Sequence, residues 1–261
     1  MSYLRLLIAF FWVGFVGEVA YRINFFFQLF QSLVSLFVSI AGLNIVFSYT
    51  NTLGGWGHED ILALVGVYLL VGGIIGLIIQ PGMQHFIESV RDGTLDFTLT
   101  KPEDAQLLVS IGRINIWSFT DIALGLGVLI FALVRLGEQV GGLEAAAFLL
   151  MLTLGGIIIY SFFLILATLS FWFVRVENFL TIFQSMYEAG RWPISLYPGW
   201  LRYGLTFVVP VAFATTVPVE ALTGRLNLET LLLAIAVAIF LLTTSRLFWR
   251  IGLRHYSGTS A

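Results

Sequence analysis

The stretch FIESVRDGTLDFTLTKP, residues 86–102, is a polar insertion in a chain that is otherwise almost free of charge. Two basic and five acidic side chains lie between residues 84 and 104, and long, nearly uncharged runs flank them on both sides. The 261 residues are 59% hydrophobic and 11% charged, whereas an ordinary soluble domain has about 25% charge. A water-soluble fold of this size would lack the polar surface to cover itself. The composition therefore predicts an all-α polytopic membrane protein.

Several kinds of chemistry do not fit the composition. The net charge of −2 gives no basic face for nucleic acid. The chain has no cysteine, which excludes disulfides, zinc–thiolate sites and iron–sulfur clusters. His58, His85 and His255 are far apart in the predicted topology, so a metal cluster is not expected. No G-x-x-x-x-G-K-[ST] motif is present to cradle phosphates, so we expect neither ATP hydrolysis nor another enzymatic activity from this chain.

The apolar runs set the number of membrane spans, because a bilayer core of about 30 Å takes about 20 helical residues. Six spans are predicted, the third of them over 107–134. The predicted order is an N-terminal interfacial helix (1–22), spans one and two (23–81), a cytosolic coupling loop (82–106), spans three and four (107–175), span five with an irregular segment (176–227), span six (228–250) and a tail (251–261). The run after Arg5 also resembles a secretory signal, but Glu18 stands where cleavage needs a small residue.

The distribution of arginine and lysine predicts which side of the membrane each loop faces, because cytosolic loops carry an excess of both. With the N-terminus inside, nine of the 13 basic residues lie on the inner side. The remaining four are Arg135, Arg191, Arg202 and Arg225. Both termini and the polar insertion are therefore predicted to be cytosolic.

Polar residues inside the predicted spans are candidates for a substrate pathway. On span three, Asn115, Ser118 and Asp121 recur at a spacing of three residues, which places them on one helical face. A carboxylate halfway through a span, as Asp121 is, must pair or be protonated. Asn44 on span one is a further candidate. These residues have two interpretations, as a pathway or as structural hydrogen bonds between helices.

The polar insertion has its own predicted order. Residues 84–91 form a short helix lying across the ends of two spans, and Gly93 ends it because glycine accepts the left-handed conformation. Residues 95–100 alternate apolar and polar side chains, which predicts an extended strand-like segment. Pro102 then forces another non-helical step. The insertion is either a docking element for a partner or an ordinary ordered loop.

The stretch from Tyr203 to Val219 has no charge, yet Pro210 interrupts it and removes a backbone donor. Either a kinked span or two half-helices that dip into the membrane from outside would satisfy this pattern, provided that protein covers the exposed backbone.

Three stretches together resemble the permeases of type-2 ABC exporters. They are FIESVRDGTLDFTLTKP (86–102), RWPISLYPGWLRYGLTFVVPVAFATTVPVEALTGR (191–225) and GLRHYSGTSA (252–261). The resemblance covers nearly the whole chain, and the joint order of the stretches is its specific part. It implies a cytosolic coupling helix, a fifth span at about 176–192 and a re-entrant extracellular hairpin at about 198–218, before the last span.

The resemblance also implies partners. A separate ATP-binding cassette ATPase dimer, which binds ATP and Mg²⁺, would dock on the coupling helix and loop, while this chain would bind no cofactor. The predicted docking residues are His85, Phe86, Glu88, Ser89, Arg91, Asp92, Gly93, Thr94, Leu95, Lys101 and Pro102. A second copy or a non-identical sister permease would enclose a path lined mainly by spans one, two and five, in lipids of a bacterial plasma (inner) membrane.

The expected function is ATP-driven export of an amphiphilic, lipid-linked, polysaccharide or drug-like substrate. Two alternatives stay open from the sequence. The first is a secondary transporter or channel that works alone, and the second is a membrane scaffold that moves nothing.

Overall fold

A computed structural model describes residues 22–137, 140–173 and 176–256, with the side chains of residues 22–25 and 177 left aside. In these ranges the chain is helical, and the one pairing of extended residues is an isolated bridge between Leu53 and Trp56. Five helices are long and apolar enough to cross a membrane. These observations confirm the predicted all-α polytopic class. The predicted interfacial helix falls, except for its last residue, outside the described residues.

Twelve helices, numbered here in chain order, make up the described chain apart from short 3₁₀ and π turns. They are α1 Arg22–Tyr49, α2 His58–Ile74, α3 Gln80–Arg91, α4 Asp96–Leu99, α5 Ala105–Ile111, α6 Phe119–Leu136, α7 Gly142–Thr168, α8 Glu177–Tyr187, α9 Gly199–Tyr203, α10 Val211–Ala214, α11 Thr216–Leu222 and α12 Leu228–His255. The apolar runs are helical because a bilayer offers no water to backbone groups, which must bond within their own segment.

The central helix is α2, whose side chains are almost all buried. A π turn at Ile75–Ile79 carries it into α3, so residues 58–91 form one helix of 34 residues. At a rise of about 1.5 Å per residue this helix is roughly 51 Å long, so α3 extends beyond a hydrocarbon core of about 30 Å. The expected short helix across the ends of two spans is therefore wrong. Residues 84–91 are helical, but they continue the second span, because the π turn leads into α3 without a break and Pro81 is accommodated directly after that turn.

The third span is shorter than predicted, because the chain breaks before it. Asp104 caps α5 by accepting hydrogen bonds from the amides of Gln106 (2.9 Å) and Leu107 (3.4 Å). The Asn115 side chain accepts the Trp117 amide at 3.2 Å and starts a new helix. The amide of Asn115 donates in turn to the Leu77 carbonyl, inside the π turn, at 2.9 Å. The predicted continuous span over 107–134 is thus wrong, and the crossing covers residues 116–136.

The segment predicted to be extended is a helical turn, α4. Gly93 ends α3 with φ +68°, and the amides of Thr94 and Leu95 both donate to the Ser89 carbonyl. The Leu95 side chain is fully buried against the core. A lone extended segment has no neighbouring strand to bond its backbone, whereas the turn satisfies these groups locally.

Close backbone approach holds α6 against α2. A Cβ on Gly66 would lie 2.7 Å from the Leu129 amide nitrogen. A Cβ on Gly125 would lie 2.4 Å from the Leu70 amide nitrogen. Glycine at both positions lets the two helices pack backbone to backbone, which is how helices associate where lipid gives no hydrophobic driving force.

The bundle has two ends. We call the end with Trp56, Ser195 and Arg225 the Trp56 end, and the opposite end, where Arg246 meets Asp104, the Asp104 end. α8 and its 3₁₀ turn cover only residues 177–191, but they run antiparallel to α2 for most of its length. Gln184 hydrogen-bonds Gln80, and the Tyr187 hydroxyl donates to the Tyr68 carbonyl at 2.8 Å. α8 therefore lies beside the second span, where the fifth span was predicted, although its 11 residues are too few for it to count among the helices long enough to cross a membrane.

The segments Gly199–Val208 and Val211–Leu222 form a bent pair with an angle of 71° between them. Both ends of the pair lie at the Trp56 end. The Trp56 indole N–H donates to the Ser195 hydroxyl at 3.1 Å on one side, and Arg225 lies 4.9 Å over the Trp56 ring on the other. This placement fits a pair that enters and returns, as the predicted hairpin does, and α1, α2 with α3, α6, α7 and α12 provide the five helices long enough to cross a membrane.

Candidate functional site

The predicted docking residues surround the end of α3 and the turn that follows it. Their exposed members are His85, Arg91, Asp92, Thr94, Lys101 and Pro102. Glu88 and Gly93 are half-buried, whereas Phe86, Ser89 and Leu95 are buried. The first group is accessible to a partner, and the buried three instead hold the segment in place.

Phe86 fixes α3 to two other crossings. Its ring centroid lies 5.0 Å from that of Trp249 on α12 and 5.5 Å from that of Phe171 after α7. Its side chain is 0% exposed. Aromatic pairs at these distances add to the energy of burial. Phe86 therefore connects α3 to the ends of α7 and α12.

Charged side chains tie the same end of α3 to its neighbours. Glu88 lies 3.7 Å from Arg113, in the break before α6, and 4.0 Å from His85. Phe97 is not among the predicted docking residues, yet it follows α3 on α4 and is 74% exposed. A single exposed apolar side chain is common on protein surfaces, so only its position beside the predicted docking residues makes it a candidate.

A polar network at the Asp104 end connects the loop to α12. Arg246 forms an ion pair with Asp104 at 2.5 Å and donates to the Gln106 side chain. Gln106 and Ser110 both hydrogen-bond the Tyr160 hydroxyl on α7, at 3.2 and 2.8 Å. The hydrogen bond from the guanidinium lowers the pKa of the Asp104 carboxyl below its usual 3.8, so the pair is ionised at neutral pH.

A chain of cavities follows α1 along its packed side. The cavity nearest the Asp104 end has a volume of 580 Å³, and the next one, which we call the middle cavity, has 420 Å³. Gln28 and Gln31 line both, so the two are adjacent. Their walls come from α1, α2, α3, α6, α8 and the residues around Asn115. We call these two cavities the glutamine groove, because five glutamines line it: Gln28, Gln31, Gln80, Gln84 and Gln184.

Of the four predicted pathway residues, the structure brings two to the groove. Asp121 lines the middle cavity and Asn115 lines the other. The predicted position of Asp121 halfway through the third span is wrong, because the break before α6 places it in the first turn of that helix. Ser118 is buried beside Gly76 and lines neither, and Asn44 lies at the Trp56 end, 3.0 Å from the His58 ring nitrogen. The expected shared face of Asn115 with Asp121 is also wrong, because Asn115 caps the break instead of standing on the helix.

The charged side chains that line the middle cavity are either in contact with other groups of the protein or exposed at its rim. The Ser32 hydroxyl donates to the Asp121 carboxylate at 2.5 Å. The Arg191 guanidinium lies 5.2 Å over the Tyr68 ring, and that ring stacks on Tyr187 with centroids 4.8 Å apart. Glu188 is exposed at the rim. Among the described residues, no group of three His, Asp or Glu side chains could hold a metal ion.

Sequence reasoning missed the five glutamines. Four of them lie within or at the edge of the apolar runs, and each is a neutral polar residue in a segment that otherwise faces lipid or core. A search for charged residues passes over carboxamides, although burying an unpaired amide in hydrocarbon is costly. Their convergence depends on the packing of α1, α2 and α8, which no spacing in the sequence reveals.

The walls of the cavities change from polar to apolar beyond Arg191. A smaller cavity of 230 Å³, also lined by Arg191, continues between α1 and α2 toward the Trp56 end. Its other lining residues are mostly apolar, with Trp192 at its edge. At that end, Arg225 pairs with Asp60 and covers Trp56, which fixes the hairpin to the loop before α2.

Comparison with known proteins gives one match. The family model described as ABC-2 family transporter protein matches residues 33–260. Searches of curated proteins and of solved structures found nothing that matches. The matched range includes α2 to α12 and the greater part of α1.

Proposed function

Because the chain belongs to the ABC-2 family of transporter proteins, and is thereby a membrane permease component of an ABC exporter, we propose that it exports an amphiphile along the glutamine groove. Membership of this family implies pairing with an ATP-binding cassette ATPase, and its permeases are generally not catalytic themselves. The proposal adds the path, the docking surface and the orientation in the membrane. A bacterial plasma membrane with both termini in the cytosol would place the Asp104 end inside the cell.

The observation that carries the proposal is a set of exposed polar side chains at bilayer depth. Gln31, Gln184 and Glu188 are exposed on the open side of the groove. Contact of such a group with lipid would cost free energy, and polar residues in spans characteristically face protein or a water-filled cavity. We therefore expect a second permease copy, or a sister permease, to close the open side and make a hydrated path.

The cavities together extend over most of the thickness of a membrane core. The two cavities of the groove and the apolar one beyond them follow α1 from Phe27 to Leu43, a rise of roughly 24 Å along a core of about 30 Å. The polar part begins at the Asp104 end and the apolar part leads to the Trp56 end. An amphiphile would enter from the cytosolic side and leave beside the hairpin.

The ATPase would act on α3. The exposed side chains of Arg91, Asp92 and Phe97 form the surface for docking, and Phe86 connects that surface to α7 and α12. A push on α3 travels along one helix of 34 residues to Tyr68, which lines the groove. ATP would change the path through the difference in docking energy between the two ATPase states.

The test is ATP hydrolysis and flux in liposomes that hold the permease together with its partner ATP-binding cassette ATPase. We expect the two proteins to co-purify, and we expect flux of a fluorescent amphiphile to require ATP. Flux without ATP or ATPase would instead support a secondary transporter or channel. Binding of partners without flux and without stimulated hydrolysis would support a scaffold, and either result would overturn the proposal.

A further inference from the structure

We propose that the glutamine groove binds a neutral head group rich in hydroxyls, such as a polyol or glycan, carried by an amphiphile. The inference rests on the proposed function and narrows its substrate class. It depends on three features of the groove: its concentration of carboxamides, its balance of charge, and the change from polar to apolar walls at Arg191.

The carboxamides are concentrated in the groove. The chain has seven glutamines, and five of them line these two cavities. Each carboxamide presents two donors and an acceptor that takes two hydrogen bonds, as a hydroxyl also donates and accepts. Ser32, Ser35 and Asn115 add further groups of the same kind. A wall of this composition suits a ligand with many neutral hydroxyls.

The charges of the groove do not suit a phosphate. Phosphate sites combine several cations or paired forks of arginine. Here Arg113 is 3.7 Å from Glu88, and Arg191 lies over Tyr68 in a cavity that also holds Asp121 and Glu188. Formally, the two cavities carry two arginines and two carboxylates among their lining residues. No excess of positive charge is left to attract an anion.

An ammonium group fits less well than a hydroxylated one. Asp121 already accepts a hydrogen bond from Ser32, and the faces of Tyr68 meet Tyr187 and Arg191. The faces of Tyr68 are thereby occupied within the protein, so this ring cannot surround an ammonium beside Asp121. The other carboxylate of the groove is Glu188, which is exposed at the rim. Neutral carboxamides therefore outnumber carboxylates among the lining residues, five to two.

The size and the order of the cavities fit an amphiphile. A volume of 420 Å³ is within the range of about 300–1,000 Å³ that small-molecule sites have. The apolar cavity of 230 Å³ adjoins it at Arg191, which lines both. A head group in the polar part would leave an attached chain facing apolar walls or the lipid beside α1.

The experiment measures which lipid the purified permease assembly retains in nanodiscs. Nanodiscs would contain phosphatidylcholine with equal amounts of diglucosyl diacylglycerol, phosphatidylglycerol and a dialkyl dimethylammonium lipid, and mass spectrometry would quantify the retained lipids. We expect enrichment of the glucolipid. Competition with free maltose separates a site for the sugar alone, which maltose would empty, from a site that needs the lipid chain.

The variant Gln31→Leu/Gln184→Leu should reduce the enrichment about 25-fold, because each lost hydrogen bond weakens binding about fivefold. Asn178→Leu is the matched control, since it removes an exposed carboxamide of α8 that does not line the groove. Gln31→Glu keeps the shape and adds a negative charge, so it should shift retention toward the ammonium lipid even where the leucine variant fails to fold.

Enrichment of phosphatidylglycerol or of the ammonium lipid by the unchanged protein would overturn the inference, and so would equal retention of all three. None of these results affects ATP-dependent flux with the ATPase partner. Loss of that flux contradicts the proposed function, whereas a different retained lipid contradicts only the substrate class.

Discussion

Replacing Phe86 with alanine, and separately Phe97 with alanine, distinguishes an internal support of α3 from a docking surface. The two side chains are identical and lie near the same end of the molecule, but Phe86 is 0% exposed and Phe97 is 74% exposed. Phe86 packs between Trp249 and Phe171, whereas Phe97 faces outward from α4. The same change should therefore have opposite effects on stability and on partner binding.

The magnitudes follow from burial. Removing a fully buried phenylalanine costs about 3–5 kcal/mol. At about 2–4 °C per kcal/mol for a chain of this size, Phe86→Ala should lower the melting temperature by roughly 6–20 °C. An exposed residue away from special features changes stability by about 0.5 kcal/mol or less, so Phe97→Ala should shift it by no more than about 2 °C. If Phe97 anchors the ATPase, its loss should weaken binding by about tenfold or more.

The assay combines thermal unfolding, followed by the fluorescence of the seven tryptophans, with titration of the ATPase onto permease in nanodiscs. The reasoning is refuted if Phe97→Ala melts as early as Phe86→Ala, because Phe97 would then be part of the core. Full ATPase affinity in Phe97→Ala would remove this residue from the docking surface.

Three further changes test the packing and the two ends of the bundle. Gly125→Leu should lower the melting temperature by many degrees, since no side chain fits against the backbone of α2, whereas Gly127→Leu should not, because a Cβ there meets nothing within 4 Å. The hydrogen-bonded ion pair with Arg246 lowers the pKa of Asp104. The pair therefore stabilises the fold above about pH 4, and this stabilisation is lost as the pH falls through the lowered pKa. In Asp104→Asn the melting temperature should not show this loss on acidification. Arg225→Ala should lower the free energy of unfolding by roughly 3 kcal/mol, because it leaves the buried Asp60 carboxylate without its cation. Adding Asp60→Asn to the same chain should restore much of that stability. Thermal unfolding that shows no restoration would contradict the pairing.

The sequence was sufficient for the large features of the fold. Uncharged runs of about 20 residues have one stable form in a bilayer, so the five long spans could be predicted from their length, whereas the segment at 176–192 was placed by the family resemblance. The hairpin was predicted in outline because Pro210 cannot sit in an uninterrupted helix. The family resemblance then favoured two half-helices over a kinked span.

Tertiary contacts determine the features that sequence reasoning missed. The break before α6 depends on the Leu77 carbonyl, which a π turn in another helix presents to Asn115. The turn at α4 depends on burial of Leu95. The groove depends on glutamines up to 156 positions apart, from Gln28 to Gln184. The docking residues and the direction in which the chain faces across the membrane stay predictions.

The most direct test of the groove as a hydrated path is the reactivity of single cysteines in the assembled permease. The natural chain has none, so Gln31→Cys and Gln184→Cys can each be made alone, with Ile239→Cys, 60% exposed at the middle of α12, as the lipid-facing control. A membrane-impermeant, water-soluble thiol reagent applied to the Asp104 side of membrane vesicles should label both groove positions and spare the control. If the two groove cysteines react no faster than the cysteine at 239, the groove faces lipid and the account is contradicted.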